Sequence, residues 1–592
     1  MKLRRGQLII PFGVGSIINM PGESVMLCSA RLWPETGPRI IYDERLQRRL
    51  SVSYFKMPPS EEELPVGLPF ARFPRWLRCP KCMRLRPVQE WGRRWRSRFK
   101  DAMPETPQCE QDLTKLLPAR FVVACKNGHI DDLPWVNWAH GKEPCDEPDL
   151  LLDTGHSGGL AGIIVACTNC RRKQSMADAF NPDIFRRLGM HCSGSRPWDL
   201  RATGNCSRFP VTLQRGASNV YFPHTTTSIY IPPFTDNLWE RITATAAWQM
   251  IATSDMDCDP ALLQLLMERI AQELGVPADQ IRTAVSEHRA AAAATAVSEA
   301  DYRYQEYAAI ATGTAQPSRN FTVEPLATTD FGIKGLEKVL LVHRLRELRA
   351  LVSFSRVEPI DVDLAEARGE QHDDGAKAVD VRGSSALKWY PAMEVRGEGI
   401  LLVFDTASIE EWAGRHDTIK ERSHALNDNY AAVCSEMGRT RKNITARMLL
   451  LHSLSHVLMR RLTFECGYSS ASLKERVYCD DGTTSCRMAG ILIYTASGDS
   501  EGTLGGLVRQ GRSDKLPRMF RAALEEAAWC SSDPVCANSG GQGMDNLNLA
   551  ACHACALVPE TSCEEGNRLL DRAMLVGTPG ESSIGYFSDM LK

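Results

Sequence analysis

The stretch ACHACALVPETSC, residues 551–563, contains three cysteines and one histidine in thirteen residues. Two more cysteines lie just upstream in CSSDPVC, residues 530–536. Two cysteines separated by two residues place both thiolates on one side of a tetrahedral metal ion. We therefore predict a metal site near the C-terminal end that uses any four of these five cysteines. The candidates are Cys530, Cys536, Cys552, Cys555 and Cys563.

The surroundings of these cysteines bear on which metal they bind. A c-type haem requires a histidine directly after the second cysteine, whereas His553 lies between Cys552 and Cys555. Four thiolates also hold iron–sulfur clusters, and the spacing alone leaves this alternative open. Zinc is favoured because no other motif in the chain indicates electron transfer. We interpret His553 as a surface or supporting residue rather than a ligand.

A second cysteine pattern lies in the N-terminal half. The segments RCPKC and CKNGHIDDLPW each provide a pair of possible ligands. In the second segment the cysteine and the histidine are four residues apart, so one tight turn can present both to one ion. The pattern predicts a structural zinc site with three cysteines and one histidine. Its ligands are Cys79, Cys82, Cys125 and His129, and the spare candidates are Cys109 and Cys145.

A third pattern begins with the close pair CTNC and continues with isolated cysteines in MHCSG and GNCSRFP. This spacing is typical of a zinc ribbon with four thiolates, and His191 is an alternative fourth ligand. The predicted ligands are Cys167, Cys170, Cys192 and Cys206. Three structural zinc sites in total would stabilise loop-rich segments. They would supply no activity, because a closed site has no open coordination position.

Length and charge limit the class of protein. The chain has 592 residues and a net charge of −2, so we expect several domains and no surface that is basic throughout. No apolar run reaches the roughly 18 residues of a membrane helix. Glycines and prolines interrupt the N-terminal apolar stretch, which we interpret as a strand and turn rather than a signal peptide. These features predict a cytoplasmic protein, in which cysteines ligate metals more often than they form disulfides.

The composition changes along the chain and predicts an α+β, multidomain fold. Residues 1–75 are predicted to be β-rich, and residues 76–235 to form zinc-ribbon-like modules around two Cys/His clusters. Residues 236–320 have the apolar spacing and alanine content of a helical insertion. Residues 321–445 are predicted to be a mixed α/β region. Residues 446–592 are predicted to be a mixed α/β domain that the cysteine-rich metal site closes.

Apolar residues at helical spacing locate individual helices. DPALLQLLMERIAQELG is predicted to end at Gly275, and RMLLLHSLSHVLMRRLTFECG to end at Gly467. GLEKVLLVHRLRELRALVSF, residues 335–354, is also predicted to be a helix, with lysine and arginine on its polar side. EGILLVFDTAS and AGILIYTASG contain predicted buried strands.

Motifs for catalysis are weak in this chain. No G-x-x-x-x-G-K-[ST] loop is present, so we do not expect nucleotide hydrolysis. The pattern G-x-S-x-G surrounds Ser157 and Ser500, but neither serine has the strand–turn–helix setting of a nucleophile elbow. We interpret both patterns as glycine-rich turns.

The segment HSLSH places His452 and His456 one helical turn apart, a spacing that can bind metal. Their apolar neighbours favour the interpretation that both are core histidines. The alternative is an enzyme with an unrecognised site, such as a nuclease that uses these histidines together with Asp499 and Glu501.

The segment WGRRWRSRFK, residues 91–100, interleaves basic and aromatic residues. Arginines can neutralise phosphates while aromatic rings stack on unpaired bases, so this segment is a candidate nucleic-acid contact. The alternative is a basic, partly buried β-hairpin that docks onto an acidic partner. The candidate residues are Arg93, Arg94, Trp95, Arg96, Arg98 and Lys100.

Several long motifs together resemble the DrmB family of the bacterial DISARM anti-phage system. They are RRGQLIIPFGVGSIINMPGESVML, CKNGHIDDLPW, RGASNVYFP, GYSSASLKERVY, DSEGTLGGL and CSSDPVC…ACHACALVPETSCEEGNRLLDR. The C-terminal part is also similar to the cysteine-bearing domain at the end of MrfA-type DNA-repair helicases, in which a cysteine-rich close is thought to hold zinc. The matching tail here is Gly566, Asn567, Leu569, Leu570, Asp571 and Arg572.

The resemblance implies a non-catalytic accessory subunit. Such a subunit would form a complex with a DrmA-like superfamily 2 helicase. The pair would bind DNA that is single-stranded or carries a single-stranded overhang. Cys552, Cys555 and Cys563 match the family's cysteine pattern, whereas the fourth ligand stays open between Cys530 and Cys536.

Overall fold

The structure is a computed structural model of the whole chain. It describes most residues, in segments separated by short gaps. The described segments are 3–34, 39–59, 67–141, 143–155, 159–200, 204–231, 237–243, 245–253, 260–293, 299–312, 318, 320–360, 375–383, 387–437, 442–480, 486–495 and 505–592.

The strands are numbered in chain order. They are β1 (Ile17–Met20), β2 (Glu23–Leu27), β3 (Ile40–Ile41), β4 (Tyr54–Lys56), β5 (Phe70–Arg72), β6 (Trp76–Arg78), β7 (Arg84–Pro87), β8 (Leu117–Pro118), β9 (Phe121–Ala124), β10 (Ile130–Asp132), β11 (Leu150–Asp153), β12 (Ile164–Cys167), β13 (Lys173–Ser175), β14 (Val211–Gln214), β15 (Phe222–Ile229), β16 (Thr322–Leu326), β17 (Leu336–Ser355), β18 (Val379–Asp380), β19 (Trp389–Phe404), β20 (Leu473–Cys479) and β21 (Ala489–Thr495).

The α-helices are numbered in the same way. They are α1 (Glu44–Leu50), α2 (Val88–Phe99), α3 (Trp135–His140), α4 (Ile184–Leu188), α5 (Asn237–Thr243), α6 (Ala246–Thr253), α7 (Pro260–Leu274), α8 (Ala278–Ala293), α9 (Glu299–Ala311), α10 (Thr406–Arg415), α11 (Asp417–Met437), α12 (Ala446–Cys466), α13 (Gly506–Gln510), α14 (Leu516–Ala527) and α15 (Ala573–Val576). This mixture of helices and several sheets confirms the predicted α+β class.

The chain folds into two compact units, each built from segments that are distant in sequence. Unit 1 comprises Met1–Ile41, Val52–Thr226 and Arg349–Met393. Unit 2 comprises Tyr42–Ser51, Thr227–Leu348 and Glu394–Lys592. The segment boundaries expected from composition, at residues 75, 235, 320 and 445, stay predictions.

Unit 1 contains three small antiparallel sheets. Their strand orders are β1-β2-β5, β10-β9-β14 and β13-β12-β11-β7-β6-β8. Most of these strands have three to five residues, and tight turns that carry cysteines join several of them. Short strands bury little apolar surface, so additional cross-links would add to the stability of these sheets.

Unit 2 is organised around helix α12, which is buried along most of its length. Thr445 caps its first turn by accepting a hydrogen bond from the backbone N–H of Met448, and Gly467 ends it in the left-handed conformation at φ 69°. The helix packs on the antiparallel strands β20 and β21 and on α14. This core places His452 and His456 inside the unit.

Several predicted elements are confirmed. The segment DPALLQLLMERIAQELG forms α7, which ends before Gly275 at φ 65°, and RMLLLHSLSHVLMRRLTFECG forms α12. The predicted helix over residues 335–354 is wrong, because this stretch is strand β17. Most of β17 is buried on both faces, so its leucines do not alternate with polar residues as they would in a half-exposed strand.

None of the helices within the described segments is long and apolar enough to cross a membrane.

Candidate metal centres

Five groups of four side chains gather potential metal-binding atoms within 4.8 Å of one another in the described part of the chain. We name each group by one member. They are the Cys79 cluster (Cys79, Cys82, Cys109, Asp112), the Cys125 cluster (Cys125, His129, Cys192, Cys206), the Cys145 cluster (His140, Cys145, Cys167, Cys170), the Cys530 cluster (Cys530, Cys536, Cys552, Cys555) and the His452 cluster (His452, His456, Glu475, Cys563).

The Cys530 cluster is an all-sulfur site in unit 2. The Sγ atoms of Cys530 and Cys552 lie 3.5 Å apart, and those of Cys536 and Cys555 lie 3.8 Å apart. A tetrahedral zinc with Zn–S bonds of ~2.3 Å separates its sulfurs by about 3.8 Å. A disulfide would require about 2.05 Å, and all four cysteines are free thiols in the structure. The spacing therefore fits a tetrahedral ion.

Backbone N–H groups in this cluster form hydrogen bonds that stabilise the thiolate form of its cysteines. Burial opposes ionisation of Cys552, but hydrogen bonds from the backbone of Ala554 and from Cys530 lower its pKa to about 7. The backbone N–H of Ser532 donates to the Sγ atom of Cys530 at 3.4 Å. Metal ligation requires the thiolate, so these hydrogen bonds favour the form of cysteine that binds a metal.

The Cys79 cluster joins two tight turns of unit 1. Cys79 and Cys82 belong to the turn between β6 and β7, and Cys109 and Asp112 belong to a second turn. The Sγ atoms of Cys82 and Cys109 are 3.8 Å apart, and Asp112 Oδ2 lies 3.3 Å from Cys79 Sγ. Backbone N–H groups of Lys81 and Cys82 each donate to Cys79 Sγ at 3.4 Å. The cluster offers three sulfurs and one carboxylate.

The turns that begin at Cys79, Cys109 and Cys167 share one backbone conformation. In each, the cysteine N–H donates to the carbonyl five residues later and its carbonyl accepts from the N–H four residues later, at 2.8–3.0 Å. The fifth residue has positive φ, between 58° and 63°; these residues are Met83, Leu113 and Arg171. This conformation points the first and fourth side chains of the turn toward a common centre.

The Cys125 cluster combines a hairpin turn with two cysteines from a later loop. Cys125 follows β9 and His129 precedes β10, and the two atoms Cys125 Sγ and His129 Nδ1 lie 3.5 Å apart. Cys125 forms a hydrogen bond with Cys192 that outweighs the effect of burial and lowers the pKa of Cys125 to about 4. The side chain of Asn127 donates to Cys206 Sγ at 3.5 Å.

Glycine is required in this turn. Gly128 has φ 77°, and a Cβ atom there would lie 2.2 Å from a methyl carbon of Val379. The left-handed conformation that glycine permits therefore brings Cys125 and His129 to the same side of the turn.

The Cys145 cluster contains one histidine that the sequence did not single out. His140 is at the end of α3, and its Nδ1 donates to the carbonyl of Val136 at 2.7 Å. This hydrogen bond leaves Nε2, which lies 3.5 Å from Cys145 Sγ, unprotonated in the neutral ring. Cys145 and Cys167 have Sγ atoms 3.8 Å apart. Burial opposes ionisation of Cys167, but backbone hydrogen bonds from Cys170 lower its pKa to about 6.

The structure groups the predicted ligands differently from the sequence-based expectation. The expected site of Cys79, Cys82, Cys125 and His129 is divided between the Cys79 and Cys125 clusters. The expected ribbon of Cys167, Cys170, Cys192 and Cys206 is divided between the Cys145 and Cys125 clusters. Two predicted ligands that are three or four residues apart lie in the same cluster because a single turn carries both. The other ligands of each cluster come from more distant segments, so they depend on how the chain folds.

The structure shows which of the five C-terminal cysteines lie close together. Both Cys530 and Cys536 lie with Cys552 and Cys555, and Cys563 lies in the His452 cluster instead. Sequence reasoning missed Asp112, His140 and Glu475. Of these, Asp112 carried a signal, because C-E-Q-D, residues 109–112, repeats the spacing of C-P-K-C, residues 79–82.

The basic segment at residues 91–100 lies mainly in helix α2, so the β-hairpin of the alternative interpretation is wrong. Docking of this segment onto an acidic partner stays a prediction. Trp91 is fully buried and Trp95 is 8% exposed, with the Trp95 ring 4.4 Å from that of Phe99. The aromatic residues thus form the inner face of an amphipathic helix. Trp91 packs in the same small core as Cys79 and Cys109.

The basic residues occupy the outer face of α2. Arg93 and Arg94 pair with Glu90 within the helix, and the side chains of Arg96 and Arg98 are exposed. The exposed Lys100 ends the helix in a left-handed conformation. DNA binding by this face stays a prediction.

The structure describes only some of the residues considered for catalysis. Ser157, Ser500, Asp499 and Glu501 lie outside the described residues. His452 and His456 have no exposed surface, so a DNA phosphate cannot reach them in this structure. The expectation that both are core histidines agrees with their burial, although they also lie beside a carboxylate and a thiol.

The regions that contain the cysteine clusters coincide with matches to known families. A model for a domain of unknown function (DUF8724) matches residues 4–222. The model of the MrfA Zn-binding domain matches residues 454–556, which include all four cysteines of the Cys530 cluster. Together with the sulfur spacing, this match indicates that zinc is the ion that the Cys530 cluster binds. The resemblance to the C-terminal domain of MrfA-type proteins is confirmed.

A curated relative is similar over nearly the whole chain. It is the DISARM protein DrmB of Bacillus paralicheniformis, 32% identical over 581 residues, which cover 96% of this chain and 99% of the relative. Because 96% of the chain is aligned, the similarity extends over most of unit 1 and most of unit 2. The chain belongs to the DrmB family of DISARM proteins.

Proposed function

We propose that this chain is a non-catalytic, zinc-binding accessory subunit that forms a cytoplasmic complex with a DrmA-like superfamily 2 helicase. In this complex it supports binding of DNA, single-stranded or with a single-stranded overhang, during anti-phage defence. The observation that carries the proposal is the similarity to DrmB over 96% of the chain. The match to the MrfA Zn-binding domain supports the zinc-binding part of the proposal. The resemblance to MrfA-type helicases, which carry such a domain in the same chain as the helicase, supports the partnership.

We propose zinc in four of the clusters, rather than in the three sites expected from sequence. The Cys79, Cys125, Cys145 and Cys530 clusters each offer at least three cysteine sulfurs and four donors in total. Four protein donors complete a tetrahedral shell and leave no position for water or substrate. The role of these ions is therefore to hold the small sheets and loops together, and this role supports a scaffold rather than an enzyme.

The outer face of α2 is the proposed DNA contact. Arg93 forms an ion pair with Glu90 on this helix, and 77% of the Arg93 side chain is still accessible. Because the helix packs against the Cys79 cluster, a zinc ion there would fix the position of these arginines. Arginine binds phosphate through bidentate, charge-assisted hydrogen bonds, and its planar guanidinium group loses less entropy per hydrogen bond than a lysine side chain does.

Co-purification tests the complex directly. The chain and its helicase are co-expressed, separated by size exclusion, and the shared peak is analysed for zinc. We expect one complex whose zinc stays with this chain, ATP hydrolysis that depends on the helicase, and none from this chain alone. Separate elution of the two proteins would overturn the proposed partnership. DNA cleavage by the purified chain that its own substitutions abolish would overturn the non-catalytic role.

The DNA contact has its own test. The double variant Arg96→Ala and Arg98→Ala removes two exposed charges from α2, and the matched control Arg269→Ala and Arg282→Ala removes two from α7 and α8. Each phosphate contact on a single strand contributes ~0.7 to the slope of log affinity against log salt. We expect the α2 variant to bind single-stranded DNA more weakly with a slope reduced by about 1.4. The control is expected to bind like the unmodified complex. Equal slopes for both variants would exclude this face.

A further inference from the structure

The His452 cluster has a composition that none of the four cysteine-rich sites shares. It brings together two imidazoles from α12, the carboxylate of Glu475 on β20 and the thiol of Cys563. His452, His456 and Glu475 have no exposed side-chain surface. Cys563 is 8% exposed. Burying four polar groups in a core costs free energy unless each has a partner that compensates for the lost water.

Hydrogen bonds from both histidines set which ring nitrogen faces the cluster. His452 Nδ1 donates to the carbonyl of Leu569 at 3.1 Å, and His456 Nδ1 donates to the carbonyl of Ala556 at 3.0 Å. A carbonyl oxygen can only accept, so the proton of each neutral ring is on Nδ1. Each Nε2 therefore carries a lone pair toward the cluster. This arrangement, with a backbone carbonyl behind the imidazole, is typical of histidines that ligate a metal.

The four donor atoms are spaced as a tetrahedral ion requires. His452 Nε2 lies 3.0 Å from Glu475 Oε1 and 3.2 Å from Cys563 Sγ, and His456 Nε2 lies 3.4 Å from Glu475 Oε1. Zinc with Zn–N and Zn–O bonds of ~2.0 Å separates these atoms by about 3.3 Å. The spacing is thus compatible with one shared ion at the centre.

Hydrogen bonding alone leaves the cluster incomplete. Among the described residues, His456 Nε2 makes no hydrogen bond despite its complete burial, although Glu475 Oε1 lies nearby. The ion pairs of Glu475 within the described part of the chain are with the two histidines. A buried, unpaired nitrogen that points at a carboxylate is costly unless a cation lies between them.

We infer that His452, His456, Glu475 and Cys563 form a fifth zinc site with mixed nitrogen, oxygen and sulfur donors. Two neutral imidazoles, one carboxylate and one thiolate balance the charge of one zinc ion. The protein supplies all four donors, so the site is closed and structural. The ion attaches the segment that carries Cys563 to helix α12 and strand β20.

Zinc counting on substituted full-length chains tests this inference. We expect His456→Ala to lose one zinc per chain relative to the unmodified protein, measured by mass spectrometry of the folded protein. Cys555→Ser, in the Cys530 cluster, is expected to lose a different zinc, so the double variant loses two. His456→Cys is expected to retain the ion, because a thiolate can replace the imidazole as a ligand. A role in packing alone predicts no such rescue.

His553→Ala is the matched control, since this histidine is exposed and lies between two ligands of the Cys530 cluster. It is expected to keep every zinc. An unchanged zinc count in folded His456→Ala would overturn the inference. If that variant does not fold, Cys563→Ser is compared with the unmodified chain by native mass spectrometry: one zinc ion fewer is expected, and an unchanged count in the folded variant contradicts the fifth site. The proposed helicase partnership does not depend on either outcome.

Discussion

Asp112 Oδ2 lies 3.3 Å from Cys79 Sγ, so a carboxylate completes a cluster whose other donors are thiols. Asp112 follows Cys109 at the same interval at which Cys82 follows Cys79. Because the two turns have the same backbone hydrogen bonds, Asp112 occupies the position of the second cysteine of a C-x-x-C turn. We therefore assign it to the ligand set of the Cys79 cluster.

Replacing Asp112 tests this assignment. Asp112→Ala removes one of four donors, and we expect the chain to lose one zinc and to release it faster to a chelator. Asp112→Cys restores a C-x-x-C turn and is expected to keep the zinc, since four thiolates suit the same tetrahedral geometry. Zinc per chain is measured after dialysis. The control Asp101→Ala, at an exposed aspartate of the same region, is expected to resemble the unmodified chain. Equal zinc in Asp112→Ala and the control would contradict the assignment.

Loss of the Cys530 cluster should weaken unit 2. We expect Cys555→Ser to lose one zinc and to lower the melting temperature by several degrees, because structural zinc contributes on the order of 10 kcal/mol of apparent folding free energy in small domains. Calorimetry with and without excess zinc measures the effect. Cys466→Ser, at a partly buried cysteine outside the clusters, is the control. A melting temperature equal to the control's would show that the cluster is not a stabilising site.

A buried ion network in unit 2 provides a prediction that does not involve metal. Glu306 on α9 is fully buried, accepts hydrogen bonds from Arg476 at 3.1 Å and from Tyr478 at 2.6 Å, and pairs with Arg45 at 3.4 Å. Glu306→Gln leaves the arginines without their counter-charge, at an expected cost of about 3–5 kcal/mol. Urea denaturation measures the change. Glu337→Gln, at an exposed glutamate, is expected to change stability by less than ~0.5 kcal/mol.

The same carboxylate predicts a pH dependence. Burial alone would raise the pKa of Glu306, but the guanidinium groups of Arg476 and Arg45 outweigh it and hold the pKa below its ordinary value of 4.5. A lowered folded-state pKa contributes stability above 4.5, and this contribution is lost as the pH falls through the folded-state value. The difference in stability between the unmodified chain and Glu306→Gln should therefore be full at pH 7 and should shrink once the pH is below 4.5. A difference that grows on acidification would contradict this assignment of charge.

The sequence predicts the elements whose pattern is local. Helix α12 has a capping threonine, an apolar body and a terminal glycine, and all three can be recognised without a structure. Strand β17 cannot, because its leucines, arginines and glutamates favour helix formation when considered alone. It is a strand because neighbouring strands cover it and partners satisfy its buried charges; Arg346, for example, pairs with Glu394 at 2.7 Å.

The metal sites show the same division between local and long-range information. Each C-x-x-C pair is a local turn, so the sequence identifies Cys79 with Cys82 and Cys552 with Cys555. Which second pair completes a site depends on how the small sheets are arranged, and no spacing rule contains that information. His140 and Glu475 could not be selected for this reason, since each is an ordinary polar residue until the fold brings a thiol beside it.

The interleaving of the two units affects how the protein is made. The segment Tyr42–Ser51 leaves the ribosome early, yet it belongs to the unit whose last segment is Glu394–Lys592. At roughly 5–20 residues per second, translation of the intervening chain takes from about 17 seconds to about 70 seconds. Neither unit can be completed while the first half of the protein is being synthesised. The cysteines of the three unit 1 clusters lie between residues 79 and 206 and emerge well before the last segment of their unit. We therefore expect zinc limitation or oxidation during synthesis to reduce the yield of folded protein more than the same stress applied afterwards.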